Sequence, residues 1–199
     1  MSNFNENTRV QVPAALHLCK LGYEYLDEKD IMAYDHKTNI LTDVFLRSIR
    51  YINPDATGEE VSMLYSKIIN ISDNADLGRE FYALLSANSG VKLVDFENPD
   101  NNEWHVTTEF TCHNDETDDE FRPDITCFVN GMPLAFIEVK KPNNHEGILA
   151  ERDRINVRMS KKCFRSFFNI TQLMIFSNNQ EYDNTNRVPI QGAFYCCSS

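Results

Sequence analysis

Apolar residues recur at helical spacing through the first ninety positions, then alternate or run together as in strands. Pro13 is placed to open a helix that runs through Leu21 and ends at Gly22. The stretch LTDVFLRSIRYIN predicts a second helix, stopped by Asn53-Pro54. Thr57 and Glu60 have capping-box spacing ahead of EEVSMLYSKII. A fourth helix is expected in DLGREFYALLSANSG, with Leu77, Phe81, Leu84 and Leu85 on one face and an end near Gly90.

After Gly90 the pattern changes. VKLVDF reads as extended, and ENPDNNE as a loop by its Asn, Pro and Asp content. WHVTTEFTC, PDITCFV and PLAFIEVK are strand candidates rich in β-branched and aromatic residues, and Asn130-Gly131 between the last two signals a hairpin. A long helix is predicted over about 147–167, followed by the strand TQLMIFS, an Asn-rich loop and a last strand, QGAFYCC. Helices, three strands, helix, strand, strand is the order of an α/β fold around a mixed sheet. No repeat or low-complexity linker divides it. Residues 1–90 are expected to form a helical region packed on a core of residues 91–199, the two making one structural unit.

Composition narrows this picture. With 199 residues and 42% hydrophobic content, the chain can build one sizeable core. It has no run of about 18 apolar residues, so no membrane span is predicted. The start, MSNFNENTRVQVPAALHLCK, lacks the basic and apolar regions of a signal peptide, which points to the cytoplasm. There Cys19, Cys112, Cys127, Cys163, Cys196 and Cys197 are expected as thiols rather than disulfides. No CxxC pair accompanies Cys112-His113, so a structural zinc site is not expected.

The net charge of −11 argues at first against a nucleic-acid partner. Its distribution changes that. Residues 1–120 carry 23 acids and 9 bases, whereas residues 121–199 carry 7 acids and 10 bases. The run DETDDE at Asp115–Glu120 reads as a solvated loop, and the second part is free to face a polyanion.

The candidate chemistry lies in FRPDITCFVNGMPLAFIEVKKP, where one apolar strand begins with Asp124 and the next ends Glu138-Val139-Lys140. Alternate strand residues share a face, so Glu138 and Lys140 point the same way. Asp124 depends on register. A hairpin loop of only Asn130 and Gly131 puts it on the opposite face from Glu138. One extra loop residue, such as a bulge with Gly131 at positive φ, puts both carboxylates on one face, close enough to share a cation. Two carboxylates, a backbone carbonyl such as that of Val139 and waters suit Mg²⁺. The ion would acidify a bound water, and the lysine would stabilise developing negative charge. The competing reading is a surface Glu-x-Lys pair with little energetic weight.

Pro123-Asp124, thirteen residues, then Glu138-Val139-Lys140 resembles the PD-(D/E)xK nuclease signature. LVDFENPDNNEWHVTTEFT with RPDITCFVNGMPLAFIEVKKP, and then NITQLMIFSNN and PIQGAFY, resembles the amino-terminal nuclease region of the type I restriction enzyme R subunit. The resemblance covers at least residues 91–195. It implies a restriction-endonuclease-like α/β fold and Mg²⁺-dependent cleavage of double-stranded DNA. It also implies assembly with separate methylation and specificity subunits. By motif match, Asp124 and Glu138 become metal ligands and Lys140 the catalytic lysine. R subunits of this kind continue into ATP-driven motor domains. This sequence has no GxxxxGK[ST] loop, so ATP is expected only for motor domains it lacks, and the chain looks like a nuclease fragment or a truncated subunit.

Many relatives also carry a Gln and a Tyr one turn apart on the helix after the lysine. ILAERDRINVRMSKKCFRSFF has neither, and Gln172 and Gln191 lie outside it. That helix offers instead a basic stripe of Arg154, Arg158, Lys161 and Arg165 beside an apolar stripe of Ile155, Met159, Cys163 and Phe167. The basic stripe is either a solvated face or a phosphate-binding surface. Glu80 is either a third acid of the metal site or a surface residue. His105 and His145 read as structural, and Trp104 as core. Three functions remain open at this point: a DNA endonuclease module, a catalytically idle docking module of a restriction complex, and a repair nuclease of the same fold.

Overall fold

The computed structural model describes residues 10–27, 29, 31, 33–113, 120–140, 145–177 and 194–196, with backbone alone at 145, 146, 148, 149 and 194–196. The elements follow the periodicity closely. Helices α1 (Val12–Lys20), α2 (Thr42–Ile52), α3 (Gly58–Ser72) and α4 (Arg79–Leu85) precede the main strands, interrupted by the two-residue strand β1 (Glu24–Tyr25). Strands β2 (Trp104–Thr108), β3 (Ile125–Val129) and β4 (Met132–Val139) follow, then α5 (His145–Met159), α6 (Arg165–Ile170), β5 (Leu173–Ser177) and β6 (Phe194–Cys196).

The six strands lie in chain order across one mixed sheet. β1 pairs parallel with β2, and β4 parallel with β5; the other neighbours are antiparallel. A sheet with helices on both faces is the restriction-endonuclease-like α/β architecture expected from the sequence.

Local chemistry explains the boundaries. Thr57 and Glu60 form the expected reciprocal capping box at the start of α3. Leu77 has φ +56° and Gly78 φ +79°, so α4 begins only at Arg79. Leu77 therefore leaves the predicted apolar face and is exposed, while Phe81 and Leu85 are buried. VKLVDF forms no strand. Asp95 N–H donates to Asn102 Oδ1, and Asn102 Nδ2 returns to the Asp95 carbonyl, folding the segment onto its own loop.

The predicted single helix over 147–167 is broken. Ser160 Oγ donates to the Val157 carbonyl at 2.7 Å, and Lys161 then turns extended at φ −81°, ψ 129°. A serine that satisfies a nearby carbonyl offers the backbone an alternative to continuing the helix.

Three apolar clusters position the sheet. One face of β3–β5 carries Phe128, Phe136, Met174 and Phe176 beneath Ile155, Phe164, Phe167 and Phe168. Phe121 sits among Phe136, Phe164, Phe167 and Phe168 with ring centroids 5.6–6.1 Å apart. The opposite face carries Val106, Ile125, Cys127 and Val139, covered by Ala14 and Leu18 of α1. Helices α2–α4 share a third cluster with Val129 and Met132 at the hairpin, so the first ninety residues pack directly on the strands. Cys19, Cys112, Cys127 and Cys163 are free thiols. Cys196 and Cys197, and Asp115–Asp119 of the acidic run, fall outside the described side chains. Among the described residues no helix is long and apolar enough to cross a membrane.

Candidate active site

The β3–β4 hairpin decides where the carboxylates meet. Asn130 and Gly131 both have positive φ (50° and 78°), which makes a two-residue turn of the primed type. Val129 pairs with Met132 and Phe128 with Pro133, a register that would send Asp124 and Glu138 to opposite faces. Further along, Cys127 pairs with Ala135 and Ile125 with Ile137. Leu134 is left over as a bulge. The extra residue therefore sits within β4, not in the turn where the sequence suggested it. Its effect on register is the expected one: Asp124 falls opposite Glu138 on the same face.

Asp124 precedes β3 and is held at both ends. Its carbonyl accepts from Glu109 N–H at 3.1 Å and from Gln11 Nε2 at 2.6 Å. The Gln11 amide also donates to Glu109 Oε1 at 2.8 Å, and Arg122 Nε lies 3.1 Å from Glu109 Oε2. Glu109 has φ +57°, an unusual conformation for a non-glycine residue, and it ends β2 there. The Asp124 side chain accepts a 2.7 Å hydrogen bond from Val139 N–H. The Val139 carbonyl leaves the strand on that same side. Lys140 N–H turns the other way, to Ser177 O on β5 at 2.8 Å.

The electrostatics follow from burial. Glu138 is only 5% exposed and hydrogen-bonds Asp124. Burial, then the nearby Asp124 and Glu151 charges, push its carboxyl up to about 9, against the opposing pull of Lys140. Burial also raises Asp124, although Val139 N–H and Lys140 act to lower it. Two buried acids in contact repel when both are ionised, and Lys140 does not fully offset this at Glu138, so the pair keeps a proton at neutral pH. Burial tends to lower Lys140, but Glu151 and Asp124 outweigh it and hold the ammonium above its ordinary range.

The donor set fits Mg²⁺. Two hard carboxylates and a carbonyl are available, with the Lys140 ammonium beside them. Among the described residues no group of three acid, histidine or cysteine side chains is arranged as a metal cage, so within them a third ligand would come from backbone or water.

Asp124, Glu138 and Lys140 are thus brought together. Glu80 is not: it accepts from Asn74 Nδ2 at 2.9 Å, at the α3–α4 junction. The basic stripe is also corrected, because the helix breaks after Met159. Arg154, Arg158 and Lys161 border one shallow depression of about 380 Å³ with Ala150, Asp153 and Val157. Arg165 instead donates to the Asp73 carbonyl at 3.2 Å, beside a separate small pocket. Arg158 is also held over the Phe121 ring, 4.8 Å from its centroid. Gln172 donates to the Ile170 carbonyl, and Gln191 lies outside the described residues.

His105 is buried, with Nε2 3.7 Å from Glu24; burial lowers its pKa, and it stands apart from the acid pair. The His145 side chain lies outside the described residues. Trp104 packs against Tyr23 and donates to the Pro99 carbonyl.

Three residues around the site were not anticipated. Gln11 and Glu109 carry no local signal, because their contacts with Asp124 are made by folding. Glu151 did carry one. It lies one turn before Ile155, in line with the apolar stripe, and both are buried. An acid in a row of core-facing residues is an anomaly that the period exposes.

A family model described as type I restriction enzyme R protein N terminus matches residues 3–187. The chain is also 29% identical over 203 residues to a protein of Methanocaldococcus jannaschii, whose name makes it a candidate type I restriction enzyme MjaIXP endonuclease subunit. That match takes in 90% of this chain and 19% of the relative's length.

Proposed function

The chain belongs to the family of the type I restriction enzyme R protein N terminus, and from that premise we propose that it is a Mg²⁺-dependent DNA endonuclease module. The observation that carries this reading is the convergence of Asp124, Glu138 and Lys140 on one face at the strand ends.

Asp124 and Glu138 would hold the ion, with the Val139 carbonyl as a third oxygen. When bound, Mg²⁺ supplies charge neutralisation at phosphate and a more acidic water. The remaining work belongs to the chain. Val139 N–H and the clamp of Gln11 and Glu109 fix Asp124 in orientation. Lys140 keeps a positive charge next to the acids, where it can orient the attacking water and stabilise charge on the phosphate. Arg154, Arg158 and Lys161 line a surface suited to backbone phosphates of double-stranded DNA.

Methylation and specificity subunits are the proposed partners, in the cytoplasm. ATP would act on motor domains beyond the 19% of the relative's length that this chain matches. The direct test is DNA cleavage by the chain assembled with those subunits: Asp124→Asn, Glu138→Gln and Lys140→Ala should each abolish cutting while assembly persists. Undiminished cutting by any of them removes that residue from its role.

A second reading, a docking module with an idle centre, is favoured by the acid excess of residues 1–120. Tight binding to the methylation subunit with no metal-dependent cutting by the assembled complex would select it.

A further inference from the structure

The nuclease reading leaves one buried charge unused. Glu151 lies on α5 with its side chain only 4% exposed, and a single oxygen, Oε2, meets two cations. Lys140 Nζ is 3.2 Å away and Arg154 Nη2 is 2.9 Å away. A carboxylate taken out of water needs such partners to offset its desolvation. The two cations differ in setting. The Lys140 side chain is 16% exposed at the acid pair, whereas Arg154 is 61% exposed beside the depression it shares with Arg158 and Lys161.

A lysine ammonium sits on four rotatable bonds and has no directional preference of its own. Its position is therefore set by what it binds. Glu151 is rigidly carried: Ile155, one turn on, is fully buried against the sheet. A fixed carboxylate on a packed helix can hold a flexible ammonium in one place.

We propose that Glu151 is the positioning residue for Lys140, fixing its ammonium beside Asp124 and Glu138 while Arg154 braces the same oxygen from the α5 surface. This rests on the nuclease reading, because it assigns Lys140 a catalytic task. Glu151 acts through Lys140 and not as a metal ligand.

The test uses Glu151→Ala and Glu151→Gln in the 199-residue chain and in the assembled complex. In the isolated chain, the Lys140 side-chain ammonium signal in ¹H–¹⁵N NMR should be sharp in the parent, persist in the Gln variant, which keeps an acceptor oxygen, and vanish in the Ala variant. In the complex, Glu151→Ala should slow single-turnover cleavage by roughly 100-fold, the scale of a small misplacement of a reacting group. Mn²⁺ affinity should stay within about twofold of the parent, as a residue acting through another requires. Glu151→Gln should recover most of the lost rate.

An ammonium signal unchanged in the Ala variant overturns the proposal, as does cleavage at the parent rate. A tenfold loss of Mn²⁺ affinity overturns it in favour of metal ligation. Should the Ala variant fail to fold, Glu151→Leu, which matches the buried volume, carries the same NMR readout. A parent complex that does not cut DNA sinks the nuclease reading, and the ammonium signal still decides the Glu151–Lys140 link.

Discussion

Asp124 Oδ2 accepts a 2.7 Å hydrogen bond from the backbone N–H of Val139, fifteen residues further along the chain. The bond closes the open end of the β3–β4 hairpin with a side chain where a backbone pair would otherwise stand. It orients one carboxylate of the site from the residue that separates the other carboxylate from the lysine.

That geometry makes Asp124 sensitive to charge more than to shape. Asp124→Asn can keep an oxygen toward Val139 N–H, so the fold should survive with a thermal midpoint within a few degrees of the parent. Calcium or manganese binding, followed by calorimetry, should fall at least tenfold. Parent-like affinity in the Asn variant would remove Asp124 from the ligand set.

Glu138 keeps its proton up to about 9 in the folded chain, against an ordinary value of 4.5. Between those values the folded state holds more protons than the unfolded state. The contribution of this group to stability is thus complete below about pH 4.5 and is lost as the pH rises toward 9. In EDTA, the thermal midpoint should drop further between pH 6 and 9 for the parent than for Glu138→Gln. Added Mg²⁺ should stabilise the parent more at pH 8 than at pH 6, because the cation replaces the shared proton. Equal pH profiles for the parent and the Gln variant would refute this account of the pair.

Gln11 ties the first helix to the site through Asp124 O and Glu109 Oε1. Gln11→Ala removes one donor from each acceptor, while Asp124 O keeps Glu109 N–H and Glu109 keeps Arg122, so the loss is that of ordinary hydrogen bonds, about 0.5–1.5 kcal/mol each. Cleavage should fall along with stability, because the Asp124 backbone loses a fixed support. Urea denaturation and cleavage rates measured on the same variant check both effects, and no change in either would make the contact incidental.

Gly131 permits the hairpin to pack under α2. A Cβ there would lie 2.6 Å from Leu41 O and 2.7 Å from Phe45 N, at φ +78°. Gly131→Ala should therefore destabilise by roughly 2 kcal/mol or more, from strain and backbone clash together. Denaturant midpoints read this directly, and a neutral result would mean that the turn is not held against α2.

Arg154 and Arg158 should contribute to the salt dependence of DNA binding by the assembled complex. Each phosphate contact removed lowers the slope of log affinity against log salt by about 0.9. Arg165→Ala should leave that slope unchanged, since its guanidinium is turned to the Asp73 carbonyl. Equal effects at Arg154 and Arg165 would argue for general charge instead of a defined surface.

The sequence by itself determined most elements, because helix caps, apolar period and the Asn130-Gly131 turn are local signals. Thr57 and Glu60 cap α3 as their spacing requires. Two residues of the centre were legible as a pair because strand alternation places Glu138 and Lys140 on one face, whereas Asp124 depended on a register the sequence left open. Only tertiary structure decided the rest. The Leu134 bulge sets the register that brings Asp124 across from Glu138, and bulges arise from how a strand packs, not from its composition. The break after Met159 splits a stripe that periodicity had drawn as continuous. Gln11 and Glu109 reach the centre from elements separated in the chain, and no local pattern records such contacts; for Glu151 the apolar period exposed its burial, but only folding set its partners. Where charge is buried, its neighbours in space set what it can do.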